Sequence, residues 1–430
     1  MNPPTPPLTE DFARERDRSD PLRHLRDQFY LPAGTLYMDG NSLGPLSRAA
    51  EETLLGCLRE WKTLGVDGWS EADLPWVRLG EELGRLQADL MGAEPDEVVA
   101  TSSTTVNLHH LLQTFYRPEG GRTKLVVDEL NFPSDLYAAQ GQVAARGLDP
   151  AEHLVVVRSR DGYTIDEEDF IAALTEDVAV AVLPVVLYRS GQLLDVARVA
   201  RAAHERGVLL GVDACHSAGA VPHQLHDWDV DFATWCTYKH LNAGPGSIAG
   251  LFVHRHHFGT RPGLPGWWGY RKEKQFDMLF AFEGAPTAGA WQIGTVSVLS
   301  AAPLLGSLRL FSEVGIDAVR AKSLELTDYL ISLLDGLLGG AEHEVSVGTP
   351  REHARRGGHV AVRHPDAYRI CRSLKDRGVI PDFRPPDVVR LAPCALYTSF
   401  HDVWRAVDIL RDIIETGSFR ELSTERSLVT

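Results

Sequence analysis

The chain has 430 residues, 44% hydrophobic and 24% charged, with 43 Lys+Arg against 59 Asp+Glu and a net charge of −16. That length predicts two or three structural units, and a field of that sign argues against nucleic acid as a partner because it repels phosphate backbones. No apolar run reaches the roughly 18 residues of a membrane helix, so no membrane partner is expected.

The opening MNPPTPP is Pro-rich and is expected to be a mobile tail. It carries no apolar leader, which together with five cysteines lacking any C-x-x-C pair (Cys57, Cys215, Cys236, Cys371, Cys394) predicts reduced thiols and a cytoplasmic location. Asp20-Pro21 reads as an N-cap and first helical position, predicting a short helix that ends near Tyr30. Helical patterns follow over 47–64, 79–91 and 104–116. The β-branched runs at 125–127, 154–157, 178–182 and 208–212 are of strand length. A helical stretch over 196–206, stopped by Gly207, separates the last two runs, and strand–helix–strand at this spacing predicts a mostly parallel sheet. Further strands are expected over 231–236 and 248–253, and long amphipathic helices from about 304. The expected organisation is α/β: an N-terminal segment (1–65) contributing to a small domain, a large mostly parallel-sheet domain (66–303) and a C-terminal small α/β domain (304–430).

Four segments carry candidate chemistry. Asp213 directly follows a strand, where open α/β sheets bind ligands, and a carboxylate there suits a protonated ring nitrogen that must remain an electron sink. Lys239 stands between a strand and the glycines of Asn242-Ala243-Gly244-Pro245-Gly246. A lysine that forms a Schiff base must be desolvated, and the glycines allow the backbone to approach a ligand closely. Phe132-Pro133-Ser134-Asp135 offers an aromatic face and a hydroxyl, although Pro-Ser-Asp is also plain turn chemistry. Ser103-Thr104-Thr105 at a helix start suits a phosphate and equally suits a simple cap. His254, His256 and His257 are expected to diverge as alternate residues of a strand, so no metal site is expected.

Taken in order, these segments resemble the fold-type I pyridoxal-phosphate (PLP) enzymes, and closely the kynureninase family. The resemblance runs from about Leu22 to Leu410. It rests on Asp39-Gly40-Asn41-Ser42-Leu43-Gly44, Thr105-Val106-Asn107-Leu108-His109, Phe132 to Asp135, Leu225-His226-Asp227-Trp228, Tyr238-Lys239, Gly266-Trp267-Trp268-Gly269 and Tyr397 to Trp404. It implies PLP as cofactor and hydrolytic Cβ–Cγ cleavage of L-kynurenine, or its 3-hydroxy form, to an anthranilate and L-alanine. Lys239 would hold the cofactor, Asp213 would pair with its ring nitrogen and Phe132 would stack on the ring. His216, Thr104, Thr105, Ser134, Asp135 and Tyr238 would line the cofactor pocket, with Tyr238 also a candidate for proton transfer. Arg390, Asn41 and Ser42 would face the substrate. Trp267 and Thr295 would come from the second subunit of a homodimer with shared active sites.

Arg390 lies in the apolar run Val388-Val389-Arg390-Leu391, where a buried cation needs an anionic partner, and the substrate carboxylate is the expected one. Two positions bear on the pattern. Pro184 stands where a hydroxyl residue is expected near the cofactor, and Thr295 occupies a position that can be Asn, which bears on ring-substituent preference. The same Lys and Asp would serve an aminotransferase, a cysteine desulfurase or a non-catalytic PLP carrier. A desulfurase needs a nucleophilic Cys on a flexible loop, and neither Cys371 nor Cys394 suits that role.

Overall fold

The computed structural model describes residues 6–426. The first five residues of the expected Pro-rich tail lie outside them.

Seven strands form the main sheet. Their order is Val98–Thr101, Ala249–Val253, Phe232–Trp235, Leu209–Asp213, Val178–Pro184, Lys124–Asp128 and Leu154–Val157. Ala249–Val253 runs antiparallel to both neighbours, and every other pairing is parallel. Successive side chains enter opposite faces. Val126, Ala181 and Val212 join one core with Leu83, Leu90 and Ala200. Leu125, Val127, Val180 and Val182 join another with Leu108, Leu111 and Ala138. Burial on both faces explains why these strands read as unbroken β-branched runs.

A second, antiparallel sheet contains Asp382–Arg384, Val388–Leu391, Val360–Arg363 and Ser346–Val347 in that order. The N-terminal segment joins this part of the molecule. Leu36–Tyr37 pairs in parallel with Val379–Ile380, and Ala13, Leu36 and Met38 share a core with Leu330, Leu374 and Val407. The boundary expected at 303/304 falls inside the helix Val298–Val314. That helix packs along Arg48–Leu64 so closely that a Cβ on Gly306 would lie 2.1 Å from the Ala49 carbonyl oxygen. The next helix, Ile316–Leu338, carries the chain between cores: Val319 packs in the first, Leu326 onward in the second.

Two local readings differ from expectation. A helix absent from the reading, Glu10–Ser19, is capped by Thr9, whose hydroxyl accepts the Phe12 N–H at 3.3 Å. Asp20 closes that helix rather than opening the next, and its side chain accepts the Leu22 N–H. Its sequence hid it because Ala13 is its only buried residue, so it has almost no apolar stripe. Second, the histidines at 254–257 do not extend a strand. Arg255–His257 coil into a 3-10 turn after His254, which brings the His254 and His256 rings to 3.9 Å between centroids.

Candidate active site

The parallel strands deliver their C-terminal ends to one edge of the main sheet, and the segments that follow them enclose a cavity of about 350 Å³. Its wall contains Asn41, Ser42, Thr104, Thr105, Phe132, Ser134, Asp135, Tyr188, Asp213, Cys215, His216, Tyr238, Lys239, Arg384 and Arg390.

Lys239 sits on the turn after Phe232–Trp235, held by left-handed Asn242 (φ 54°) and Gly244 (φ 92°). Its Nζ lies 2.8 Å from His216 Nε2 and 5.9 Å from the centre of the Phe132 ring. Burial first, then the nearby Lys239 charge, pushes the His216 imidazole well below its ordinary value, so it is neutral at pH 7. Asp213 ends its strand with Oδ1 accepting the Cys215 N–H at 2.7 Å. Beside it, Asp135 is driven well above the ordinary carboxylate range, first by burial, then by the Asp213 charge and their shared hydrogen bond. Both carboxyl groups are buried in the same wall of the cavity. Asp128, at the end of Lys124–Asp128 two strands away, is raised to about 7 by burial, against the opposing pull of backbone donors.

The helix Thr104–Phe115 begins at this edge. Its N-cap, Ser103, makes no side-chain capping bond, so the first-turn N–H groups face the cavity beside two threonine hydroxyls. Phe132 caps the helix Pro133–Ala144 and meets Tyr188 edge-on at 5.2 Å. Burial pushes the Tyr238 hydroxyl up strongly, with the Cys236 and Cys215 thiols adding to it.

Arg390 has an anionic partner within the protein, contrary to the expectation that the substrate would supply it. Its guanidinium is only 1% exposed and forks onto Asp382, with Nε 2.7 Å from Oδ1 and Nη2 on Oδ2. Nη1 donates to the Tyr188 carbonyl at 2.6 Å, and Nη2 also donates to Ser42 Oγ at 3.0 Å. Burial alone would raise Asp382, but Arg390 and Arg384 outweigh it and hold the carboxyl at about 2. Asn41 is fully buried here, its amide oxygen toward Arg390 and its nitrogen toward Asp39. Arg384, 2.7 Å from Asp382, is 28% exposed and presents the more open guanidinium to the cavity.

All the expected cofactor and substrate residues line this cavity except Trp267 and Thr295. Thr295 is exposed, and Trp267 is 45% exposed with its indole N–H on the Gln275 carbonyl. Pro184 is buried within the sheet and is not among the lining residues. Tyr188, Cys215 and Arg384 line the cavity although the sequence reading did not single them out. Tyr188 and Cys215 each follow the end of a parallel strand, so the strand-end rule would have found them. Arg384 carried no such signal, because it arrives from the other sheet.

A family profile described as the kynureninase C-terminal domain matches residues 319–410, and one for the DegT/DnrJ/EryC1/StrS aminotransferase family matches residues 73–227. Kynureninase from Geobacillus thermodenitrificans is 55% identical over 98% of both chains. The enzymes from Bacillus cereus and Shouchella clausii are 52% and 51% identical over the same shares. Among solved structures, a cysteine desulfurase from Thermococcus onnurineus superposes with a TM-score of 0.76 at 18% identity, covering 91% of this chain and 98% of that one. A C-DES variant with glycine covalently linked to its PLP cofactor gives 0.77 at 19% identity, covering 90% and 99%. These neighbours are similar in fold. Burial pushes the Cys371 thiol up to about 12 and raises that of Cys394, so neither is poised as the thiolate a desulfurase needs.

Proposed function

The chain belongs to the kynureninase family, and on that premise we propose that the cavity around Lys239 is its active site. The activity is the PLP-dependent hydrolysis of a carbon–carbon bond, with L-kynurenine cleaved between Cβ and Cγ to anthranilate and L-alanine. One observation carries the assignment of the site: Lys239, Asp213, Phe132 and the open first turn of Thr104–Phe115 converge on the same cavity.

The residues suit PLP. A primary amine points into the cavity, a buried carboxylate stands where a ring nitrogen would need one, and an uncapped helix start offers N–H donors to a phosphate. Bound there, PLP supplies an electron sink for the bond-breaking step.

In this reading Lys239 holds the cofactor covalently and, once released, takes the substrate's Cα proton on Nζ. The neutral His216, at 2.8 Å, orients that amine and can accept a proton on Nε2. Asp213 offers its carboxylate to a protonated ring nitrogen, with Asp135 beside it in the same wall. Phe132 covers one face of the ring, and Thr104, Thr105, Ser134 and Tyr238 meet the phosphate. Arg384 and Arg390 receive the substrate carboxylate together with Asn41 and Ser42.

Trp267 and Thr295 complete the site from a second copy in a homodimer. The loop around Trp267 supports this, since Phe276, Met278, Leu279 and Phe280 are all exposed beside it, an apolar patch of the kind that marks an interface. The same reading places the protein in the cytoplasm, in keeping with five unpaired cysteines among the described residues. Among the described residues no helix is long and apolar enough to cross a membrane.

The test is to incubate PLP-loaded protein with L-kynurenine and with its 3-hydroxy form and follow the fluorescent anthranilate product. Borohydride reduction followed by peptide mass spectrometry should fix the cofactor on Lys239. A label on any other lysine rejects the assignment.

A further inference from the structure

At the opposite edge of the main sheet, where Phe232–Trp235 begins and Ala249–Val253 ends, lies an array of histidines and carboxylates that the chemistry at Lys239 does not use. Val253 pairs with Phe232, so the residues before one strand and after the other meet there. Asp229 Oδ1 lies 3.3 Å from His256 Nδ1 and 3.7 Å from His254 Nε2, and the three donor atoms are all within 4.8 Å of one another.

Neither contact is a good hydrogen bond, whose N···O distance runs about 2.7–3.2 Å. The first matches, and the second comes near, the edge of a metal's coordination shell. With metal–ligand bonds of about 2.0–2.1 Å in a tetrahedral arrangement, neighbouring donors stand roughly 3.3 Å apart. A second observation concerns His254 itself. It is 3% exposed, and its Nε2 faces the Asp229 carboxylate at 3.7 Å. The third is positioning. Asp229 adopts a left-handed backbone (φ 58°), and its other oxygen, Oδ2, lies 3.1 Å from His204 Nδ1. The carboxylate is thus turned with Oδ1 toward the two imidazoles.

We propose that Asp229, His254 and His256 form a binding site for one divalent transition-metal ion of the zinc class, with solvent as the fourth ligand. Two imidazole nitrogens and one carboxylate oxygen select such an ion over Mg²⁺ or Ca²⁺, which prefer oxygen throughout. A metal on His254 Nε2 requires the ring proton on Nδ1. There the nearest carboxylate oxygen is Glu97 Oε1, 3.8 Å away, beyond direct hydrogen-bond reach. The bond given up is the one from the His256 N–H to Nδ1, 3.2 Å long. The ion ties the turn before one strand to the turn after its neighbour, so it stabilises the sheet edge remote from catalysis.

The experiment is titration of chelator-treated holoenzyme with Zn²⁺ against a fluorescent competing chelator, together with thermal melting. Wild-type protein is expected to bind one equivalent at micromolar Zn²⁺ and to melt at higher temperature with it. His256→Ala and Asp229→Asn should each weaken binding at least tenfold and abolish the melting shift, while anthranilate formation without added metal stays unchanged. Asn tolerates the left-handed backbone at 229, so that variant separates ligand loss from misfolding. Absence of binding at 1 mM Zn²⁺, roughly a thousandfold above the expected micromolar range, or equal binding by both variants, overturns the site.

Discussion

At the scale of single residues, the two arginines of the cavity do different work. Removing Arg390 leaves Asp382 charged and buried without its fork, a loss of about 3–5 kcal/mol in comparable buried pairs. Arg390→Ala should therefore lower the melting temperature by several degrees as well as raise KM. Arg384 is more open to solvent, and Arg390 still neutralises Asp382 without it. Arg384→Ala should raise KM at least tenfold with little change in melting temperature. Measuring both quantities on both variants tests the division; a melting loss confined to Arg384→Ala would reverse it. Asp128 offers a pH test. Its folded value of about 7 lies above the ordinary value of about 3.9 for an unfolded Asp. A raised folded value contributes stability that is fully present below about pH 4 and is lost as pH climbs through 7. Asp128→Asn cannot ionise, so relative to wild type it should gain a few degrees in melting temperature between pH 5 and pH 8. Parallel curves for the two proteins would show that Asp128 is not the group titrating.

At the scale of elements, the site depends on a loop from one part of the chain lying against a turn from another. Gly44 donates its N–H to the Tyr238 carbonyl at 2.8 Å. A Cβ added there would lie 2.2 Å from Asn242 Oδ1 and 2.4 Å from the Lys239 carbonyl oxygen. Two of these neighbours carry the cofactor-facing turn, so the backbone itself would have to move. Gly44→Ala should lower kcat/KM by a hundredfold or more and shift the visible absorbance of the bound cofactor, because misplacement by about an ångström costs on that order. Normal turnover in that variant would mean that the Asn41–Gly44 loop can withdraw without disturbing Lys239.

At the scale of the whole molecule, the exposed apolar loop 264–282 is the feature that solvent alone does not explain. Phe280 is completely exposed, at 108% of its reference area, with Phe276 and Met278 close behind at 66% and 67%. A homodimer that covers this loop would bring Trp267 to the neighbouring cavity. Mixing Lys239→Ala with Trp267→Ala subunits should then restore part of the activity through hybrid dimers that contain one intact site. A fully active monomer in sedimentation would exclude shared sites.

The sequence by itself determined the parallel sheet, because strands buried on both faces must be apolar and β-branched throughout. It also determined which residues could meet at the sheet's C-terminal edge, since Asp213 and Lys239 follow strands directly. Their separate segments formed an ordered series that resembled one family. What lay beyond reach was decided by contacts distant along the chain. The partner of Arg390 was Asp382 across a strand pairing, and Arg384 came into the cavity by the same antiparallel register. The helix Glu10–Ser19 was hidden because its support comes from packing on Phe400–Thr416, not from an apolar stripe of its own. The histidines at 254–257 were misjudged as strand residues. Local propensity does not say where a strand ends, and one turn of 3-10 helix was enough to bring the His254 and His256 rings to 3.9 Å between centroids.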